Sequence, residues 1–388
     1  MNMQAPKLIF LAAFALRAGL VILLPDLIPE SADKLGRYDL IALSLKDGRG
    51  FSIAGAPTAV AAPLYPGLLA VLYKLFGYGG HSKTILRLSL SLLDAGHCLL
   101  FYLIARRYFG GQVPLWTALA PVLCPYFIVP IYWGITEPLF VFLQALFLLS
   151  LCRALQQKTA LAFLGSGAWL GLTTLCRATT LLLPVFVLPL FAVGHWSGQK
   201  QKLGYLALFL VGFAIVIAPW LVRNYIVFDR FIPVQENSGK RFYESSLRKV
   251  DKDEYEQERA RLAAASGLIE KDDFYFQIAL TKIVENPQAY LRLLGRKLLR
   301  MWYRTSSKRY DGFLMFVNGA LLALASIGIG MTWRRRIELL PLWVVLFYFI
   351  AFHDVLGAAF RYMLPTIPIL ILFAMVPIDA SMRRRRTG

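Results

Sequence analysis

Cysteine is scarce in this chain, four residues in 388, and the four stand in separate apolar runs without a C-x-x-C pair. That argues against cysteine-bound zinc and dithiol chemistry, and it leaves the exposed loops without a disulfide framework. Cys98, Cys124, Cys152 and Cys176 are expected to be small core residues. Acidic residues are few as well: 23 Asp and Glu against 42 Lys and Arg give a net charge of +19. The chain has no repeat of fixed period, no low-complexity linker and no nucleic-acid-binding module. The excess positive charge therefore suits anionic membrane lipid better than nucleic acid.

What is abundant is apolar surface. Apolar residues make up 57% of the chain, aromatics 14%, and the mean hydropathy is +0.56, outside the range of soluble domains. Ten apolar windows approach the ~20 residues that a bilayer core demands: 8–25, 84–105, 113–132, 137–152, 160–176, 178–194, 203–221, 313–332, 338–353 and 362–379. The expected fold class is an all-α polytopic membrane protein, a single transmembrane domain over residues 1–388, with about ten transmembrane helices. Lys7, Arg106, Arg107, Arg153, Lys158, Lys200, Lys202, Arg334–Arg336 and Arg383–Arg386 fall on one side of that count. Both termini are accordingly expected in the cytoplasm. The first window ends in LLPDLIPE rather than in a small-residue cleavage site, and reads as an uncleaved anchor.

Two segments on the opposite side, 26–83 and 226–312, are the first and fourth outer loops and are too patterned to be simple connections. In the first, Leu35, Tyr38, Ile41 or Ala42, and Leu45 recur at helix spacing before the turn Gly48–Gly50, and PLYPGLLAVLYKLF (63–76) is apolar but too short to span. Both read as interfacial helices. The second carries a charged helix over about 252–265. Another runs from Asp272 to about Arg304, interrupted near Asn286-Pro287, and ends in AYLRLLGRKLLRMWYR. That last piece puts leucines on one face and Arg292, Arg296, Lys297 and Arg300 around the other, and is expected at the headgroups.

Several polar residues interrupt this background. APWLVRNY (218–225) ends an apolar run and places Arg223 and Asn224 at the membrane surface, where a guanidinium forks onto phosphate oxygens. Arg177 and Arg361 break apolar sequence near the same face, although an arginine at a boundary can also snorkel to water. Glu137 opens a helix in TEPLF, where it can answer the helix dipole with Thr136 as cap. Asp94 and His97 lie one turn apart in mid-membrane and are expected to pair with each other. His353 and Asp354 offer half of a metal site, and two ligands do not make one.

The order of the pieces DKLGRYDLIALSLKDGRGF, PLYPGLLAVLYKLFG, TEPLF, GLTTLCRATTLLLP, APWLVRNYIVFDRFIPVQENSG and RYMLPTIPIL resembles the type C superfamily of polyprenyl-phosphate-sugar glycosyltransferases. The bacterial members akin to protein O-mannosyltransferases and lipid A aminoarabinose transferases are closest in look. The resemblance runs from about Asp33 to Pro368. It implies transfer of a sugar from a polyprenyl-phosphate donor to a lipid, glycan or protein acceptor hydroxyl, with inversion, at the outer face of a bacterial inner membrane. It also implies roles: Asp33 as base, with Asp39 and Glu30 as competitors because the usual Asp-to-Tyr38 spacing is one shorter; Glu137 at the catalytic cavity; and Tyr38 in the first outer helix. Arg223, Asn224, Arg361 and Tyr362 are assigned to the donor side, Arg177 to the cavity, and Asn237 with Lys240 to a donor-proximal loop. A monophosphate leaving group carries less charge than a nucleoside diphosphate, so arginines suffice and no metal is required, while a divalent ion is left open. A lipid-linked-sugar flippase or transporter is the alternative reading, but such proteins usually show repeated halves with helices broken at mid-membrane.

Overall fold

The computed structural model describes residues 4–29, 32–194, 196–246, 253, 256–257, 260, 268–305, 309–357 and 359–387. Among the described residues five helices are long and apolar enough to cross a membrane: α1 (Gln4–Leu23), α4 (Ser82–Tyr108), α7 (Glu137–Gln157), α10 (Gln199–Phe228) and α14 (Asp311–Met331). The pair α5 (Val113–Leu123) and α6 (Pro125–Tyr132), bent by 45°, has the length and composition of one further span when its two parts are taken together. The protein is thus a multi-pass helical membrane protein. The remaining apolar windows of the sequence fall on α8 (Ala160–Cys176), α9 (Leu183–Val193), α15 (Leu340–Leu356) and α16 (Ile367–Thr387), which are short or end in arginines. Between α1 and α4 lie α2 (Ala32–Lys46), a two-stranded antiparallel hairpin pairing Ser52–Ile53 with Ala56–Pro57, and α3 (Leu64–Phe76). Gly48 and Gly50, both at positive φ, turn the chain from α2 into the hairpin.

The chain forms two compact units. The first comprises 1–234, 321–345 and 364–388. Its most intimate contact joins α8 to α10. A Cβ on Gly167 would meet the Phe209 carbonyl oxygen at 1.9 Å, one on Gly212 the Leu164 oxygen at 2.0 Å, and one on Gly171 the Val216 side chain at 2.7 Å. The partners advance together along the two helices, so α8 and α10 run parallel, backbone against backbone, on a small-xxx-small pattern. Gly212→Ala is expected to lower stability by about 1–3 kcal/mol, because the added methyl meets backbone that cannot rotate away. Thermal unfolding in detergent checks this.

The bend between α5 and α6 has a local cause. Pro125 has no N–H to return to the carbonyl of Pro121, which takes the Cys124 N–H at 3.2 Å instead, and the α5 end is left short of donors. Arg17 of α1 supplies donors: its Nη1 donates to the Val122 oxygen and its Nη2 to the Pro121 oxygen, both at 2.8 Å, while Nε pairs with Asp94. Asp94 also lies 3.1 Å from His97 Nδ1. The Asp94–His97 pairing expected from the sequence is present, and Arg17 completes it. Both ends of the Arg17–Asp94 pair are 1% exposed.

The second unit comprises 235–320 and 346–363. It contains α11 (Ser238–Ser246) and α12 (Leu268–Glu285), packed around Phe242, Tyr243 and Ala279, and then α13 (Pro287–Arg300). The expected interruption falls where Pro287 opens α13 and the Asn286 side chain accepts from Ala289 N. The charged helix expected over 252–265 lies mostly outside the described residues. One reading from the sequence is corrected: Lys297, placed there among the outward arginines of α13, is 4% exposed. Its ammonium donates to Ser245 Oγ at 2.7 Å and to the Val355 oxygen at 3.0 Å. A lysine on the inner edge of an amphipathic helix is tolerated when it finds such acceptors.

Candidate active site

The polar residues of the first unit gather where α2 and α3 meet the start of α7 and the end of α8. Tyr38 of α2 meets Tyr65 of α3 edge-on, ring centroids 5.3 Å apart. The Tyr65 hydroxyl donates to the carbonyl of Gly134, a residue at φ 61° in the turn that leads into α7. Three residues on, Glu137 opens α7 with Pro138 behind it, the position at which a proline is tolerated and a carboxylate meets the helix dipole. Glu137 is 3% exposed and does not stand alone: Arg177, just past the end of α8, places Nη1 at 3.3 Å from its Oε1 and stacks its guanidinium on Phe140 at 5.2 Å. Electrostatics link the same set, with Tyr38, Tyr73, Glu137 and Cys176 all acting on the Tyr65 hydroxyl.

Arg223 stands at a comparable level. It lies seven residues past Val216 on α10, Arg177 lies six past Gly171 on α8, and Gly171 and Val216 are in contact. The Arg223 guanidinium donates to the Phe51 and Thr58 carbonyls of the segment between α2 and α3 at 3.0 and 2.9 Å, and to Asn224 Oδ1 at 2.9 Å. It is packed among the rings of Phe51, Trp220 and Phe228. Asn224, fully buried, donates to the Ile232 carbonyl, and Trp220 Nε1 donates to that of Val234. The motif at the end of α10 therefore brackets the chain on both sides of itself.

Of the candidate bases, Asp33 lies in the first turn of α2, and its side chain, like Glu30, is outside the described residues. Asp39, one turn and a half further along, is half-buried and accepts a hydrogen bond from the Tyr73 hydroxyl. Burial raises the Asp39 pKa above the ordinary carboxylate value, the Tyr73 bond and the Lys83 charge opposing it. Tyr65 and Tyr73 were not singled out in the sequence, although their spacing of eight on α3 puts them on one side of that helix.

In the second unit, Asn237 takes a positive φ of 71° and opens α11, and the carboxylate of Asp272 accepts from the Gly239 and Lys240 backbone N–H groups at 3.1 and 2.8 Å. The loop thus has anion-accepting geometry, and a side chain from α12 uses it. Arg361 lies over the ring of Tyr362 at 4.9 Å and donates to its hydroxyl, and Tyr362 stacks on His353. The charge of Lys297 acts on the Asp354 carboxylate. Among the described residues the one group of three ligand types within reach of each other is Asp94, His97 and Cys98. It is buried, and its carboxylate is already engaged by Arg17, which makes it a poor cation cage.

Residues 60–222, which hold Tyr65, Glu137, Arg177 and nearly all of α10 before Arg223, match the family described as dolichyl-phosphate-mannose-protein mannosyltransferase. In three dimensions the whole chain superposes on the Archaeoglobus fulgidus oligosaccharyltransferase in its apo form, with a TM-score of 0.62, 12% identity and coverage of 100% of this chain and 52% of that one. The chain shares the fold of about half of that enzyme. The same archaeal enzyme in complex with an inhibitory peptide and a dolichol-phosphate gives a TM-score of 0.60 at 12% identity, covering 99% and 51%. ArnT from Cupriavidus metallidurans bound to undecaprenyl phosphate is similar over 96% of this chain and 76% of its own at 14% identity, with a TM-score of 0.45. The chain spans about half the length of the oligosaccharyltransferases it matches. No curated protein matches it in sequence.

Proposed function

We propose that this protein is a glycosyltransferase that moves a sugar from a polyprenyl-phosphate donor to an acceptor hydroxyl at the non-cytoplasmic face of a bacterial inner membrane. The observation that carries the reading is the Glu137–Arg177 pair, buried beneath the two tyrosine-bearing helices of the first outer loop and inside the stretch that matches the mannosyltransferase family. A carboxylate and a guanidinium held at the ends of two apolar helices suit chemistry on a lipid-borne phosphate, where charge must be stabilised at the rim of a low-dielectric region.

The reaction is a single displacement with inversion. The acceptor oxygen attacks the anomeric carbon, the bond from that carbon to the phosphate oxygen breaks, and the phosphate leaves with the electron pair. Asp33 takes the acceptor proton. Arg177, paired with Glu137, sits at the cavity; Arg223, Asn224, Arg361 and Tyr362 serve the donor side, Tyr38 orients the substrate, and Asn237 with Lys240 forms a donor-proximal loop to which Lys240 adds charge. Arginine charge makes a metal unnecessary for a monophosphate leaving group.

The test is transfer of radiolabel from a panel of polyprenyl-phosphate sugars by purified protein in nanodiscs, with membrane lipid extract as acceptor. Label is expected in the acceptor fraction for at least one donor. A preparation that neither transfers label nor binds polyprenyl phosphate overturns the reading. Binding without transfer would favour a carrier-handling flippase.

A further inference from the structure

Helix α13 is divided lengthwise into three strips. Tyr290, Leu293, Leu294 and Lys297 point inward, with Leu293 and Lys297 1% and 4% exposed. Next to them around the helix come Leu291, Leu298 and Leu299, exposed to 66%, 42% and 69%. The remaining arc holds Arg292, Arg296 and Arg300, spaced four apart so that they line one side. A helix solvated by water alone has no use for the second strip, and one packed inside a protein has none for the third.

We infer that α13 lies in the surface of the bilayer and binds anionic phospholipid, its leucines entering the acyl boundary and its three arginines taking lipid phosphates. Three observations within the second unit support this. None of Arg292, Arg296 and Arg300 makes an ion pair among the described residues, so no described carboxylate balances their charge. The helix ends close to a span: Arg304 pairs with Asp311, the first residue of α14, at 3.2 Å, and Thr305 N donates to the same carboxylate. That puts the C-terminal end of α13 at membrane-boundary depth. Finally, buried Lys297 fixes the roll of the helix. Its ammonium is tied to Ser245 of α11 and to the carbonyl of Val355 on α15, so α13 cannot turn its leucines inward without breaking both bonds.

The test uses the full chain in nanodiscs. An NBD fluorophore is attached at position 299 in Leu299→Cys, and wild-type protein treated identically supplies the background from the four native cysteines. The label is expected to show apolar emission and to be quenched by shallow doxyl-lipids. Phosphatidylglycerol retained after detergent washing, counted by native mass spectrometry, is expected to fall by about fivefold per arginine removed in R292Q, R296Q and R300Q combinations, with phosphatidylcholine unchanged. Water-like emission at position 299 overturns the proposal, as does phosphatidylglycerol retention that is indifferent to the arginines. Lys297→Met is the control for roll, and it should make the emission at position 299 heterogeneous while the fold, read by circular dichroism, persists.

Discussion

Asp33→Asn is expected to slow sugar transfer by roughly a hundred- to ten-thousand-fold while leaving helix content and polyprenyl-phosphate binding in place, since an amide keeps the shape of the base and removes its proton affinity. The decisive comparison is Asp39→Asn, measured in the same nanodisc assay. Asp39 accepts the Tyr73 hydroxyl and is fixed between α2 and α3, which suits a residue that holds the two helices together; its replacement should cost far less in rate. A larger loss for Asp39→Asn transfers the base role to it, and the pH profile then gives a second check. A base works deprotonated, so activity climbs as pH rises through its pKa. Burial already raises the Asp39 value, and the Tyr73 bond holds it down. In Tyr73→Phe that restraint is gone, the pKa rises further, and the acid limb of the rate profile moves to higher pH. With Asp33 as base the limb stays where it is.

Arg17→Met is expected to destabilise the protein by about 3–5 kcal/mol, the usual consequence of leaving one member of a buried ion pair without the other. The figure belongs at the upper end of single-residue effects because both partners are 1% exposed and because Arg17 has two further duties, on the Pro121 and Val122 carbonyls at the α5 break. Removing the charge from both sides, with Arg17→Met and Asp94→Leu together, should recover part of the loss. The Val122 carbonyl then loses its Arg17 donor and the Pro121 carbonyl keeps only the Cys124 N–H, so recovery stays incomplete. Unfolding in mixed micelles by increasing SDS fraction reads all three proteins, and a single variant within about 1 kcal/mol of wild type would show that the pair contributes little.

Much of this architecture was legible in the residues because the membrane imposes strong patterns. The apolar windows fall on helices, the Gly48–Gly50 turn closes α2 at its expected place, and Asn286-Pro287 separates α12 from α13. Glu137 and Arg177 were each recognised singly, but a sequence separation of forty residues hides a 3.3 Å pair. Arg17 was read only as part of an apolar anchor, since nothing in one helix discloses that a proline in another has left carbonyls to be satisfied. Lys297 was grouped with its arginine neighbours because α13 carries cations on two sides of its wheel, and only the packing of α11 and α15 distinguishes the inner one. The bend at Cys124–Pro125 was signalled by proline, yet a continuous apolar window concealed it.

The parallel clasp of α8 and α10 gives the molecule a form of remote control. Because carbonyl oxygens rather than side chains sit against Gly167 and Gly212, the contact contains no rotamer that could absorb a change. Any substitution there must displace a helix as a rigid rod. Arg177 stands ten residues from Gly167, about 15 Å along the axis at the α-helical rise, so a methyl group added in mid-bilayer arrives at the surface as a shift of one guanidinium relative to the other. The separation of Arg177 from Arg223 is thus written in two residues that have no side chains at all.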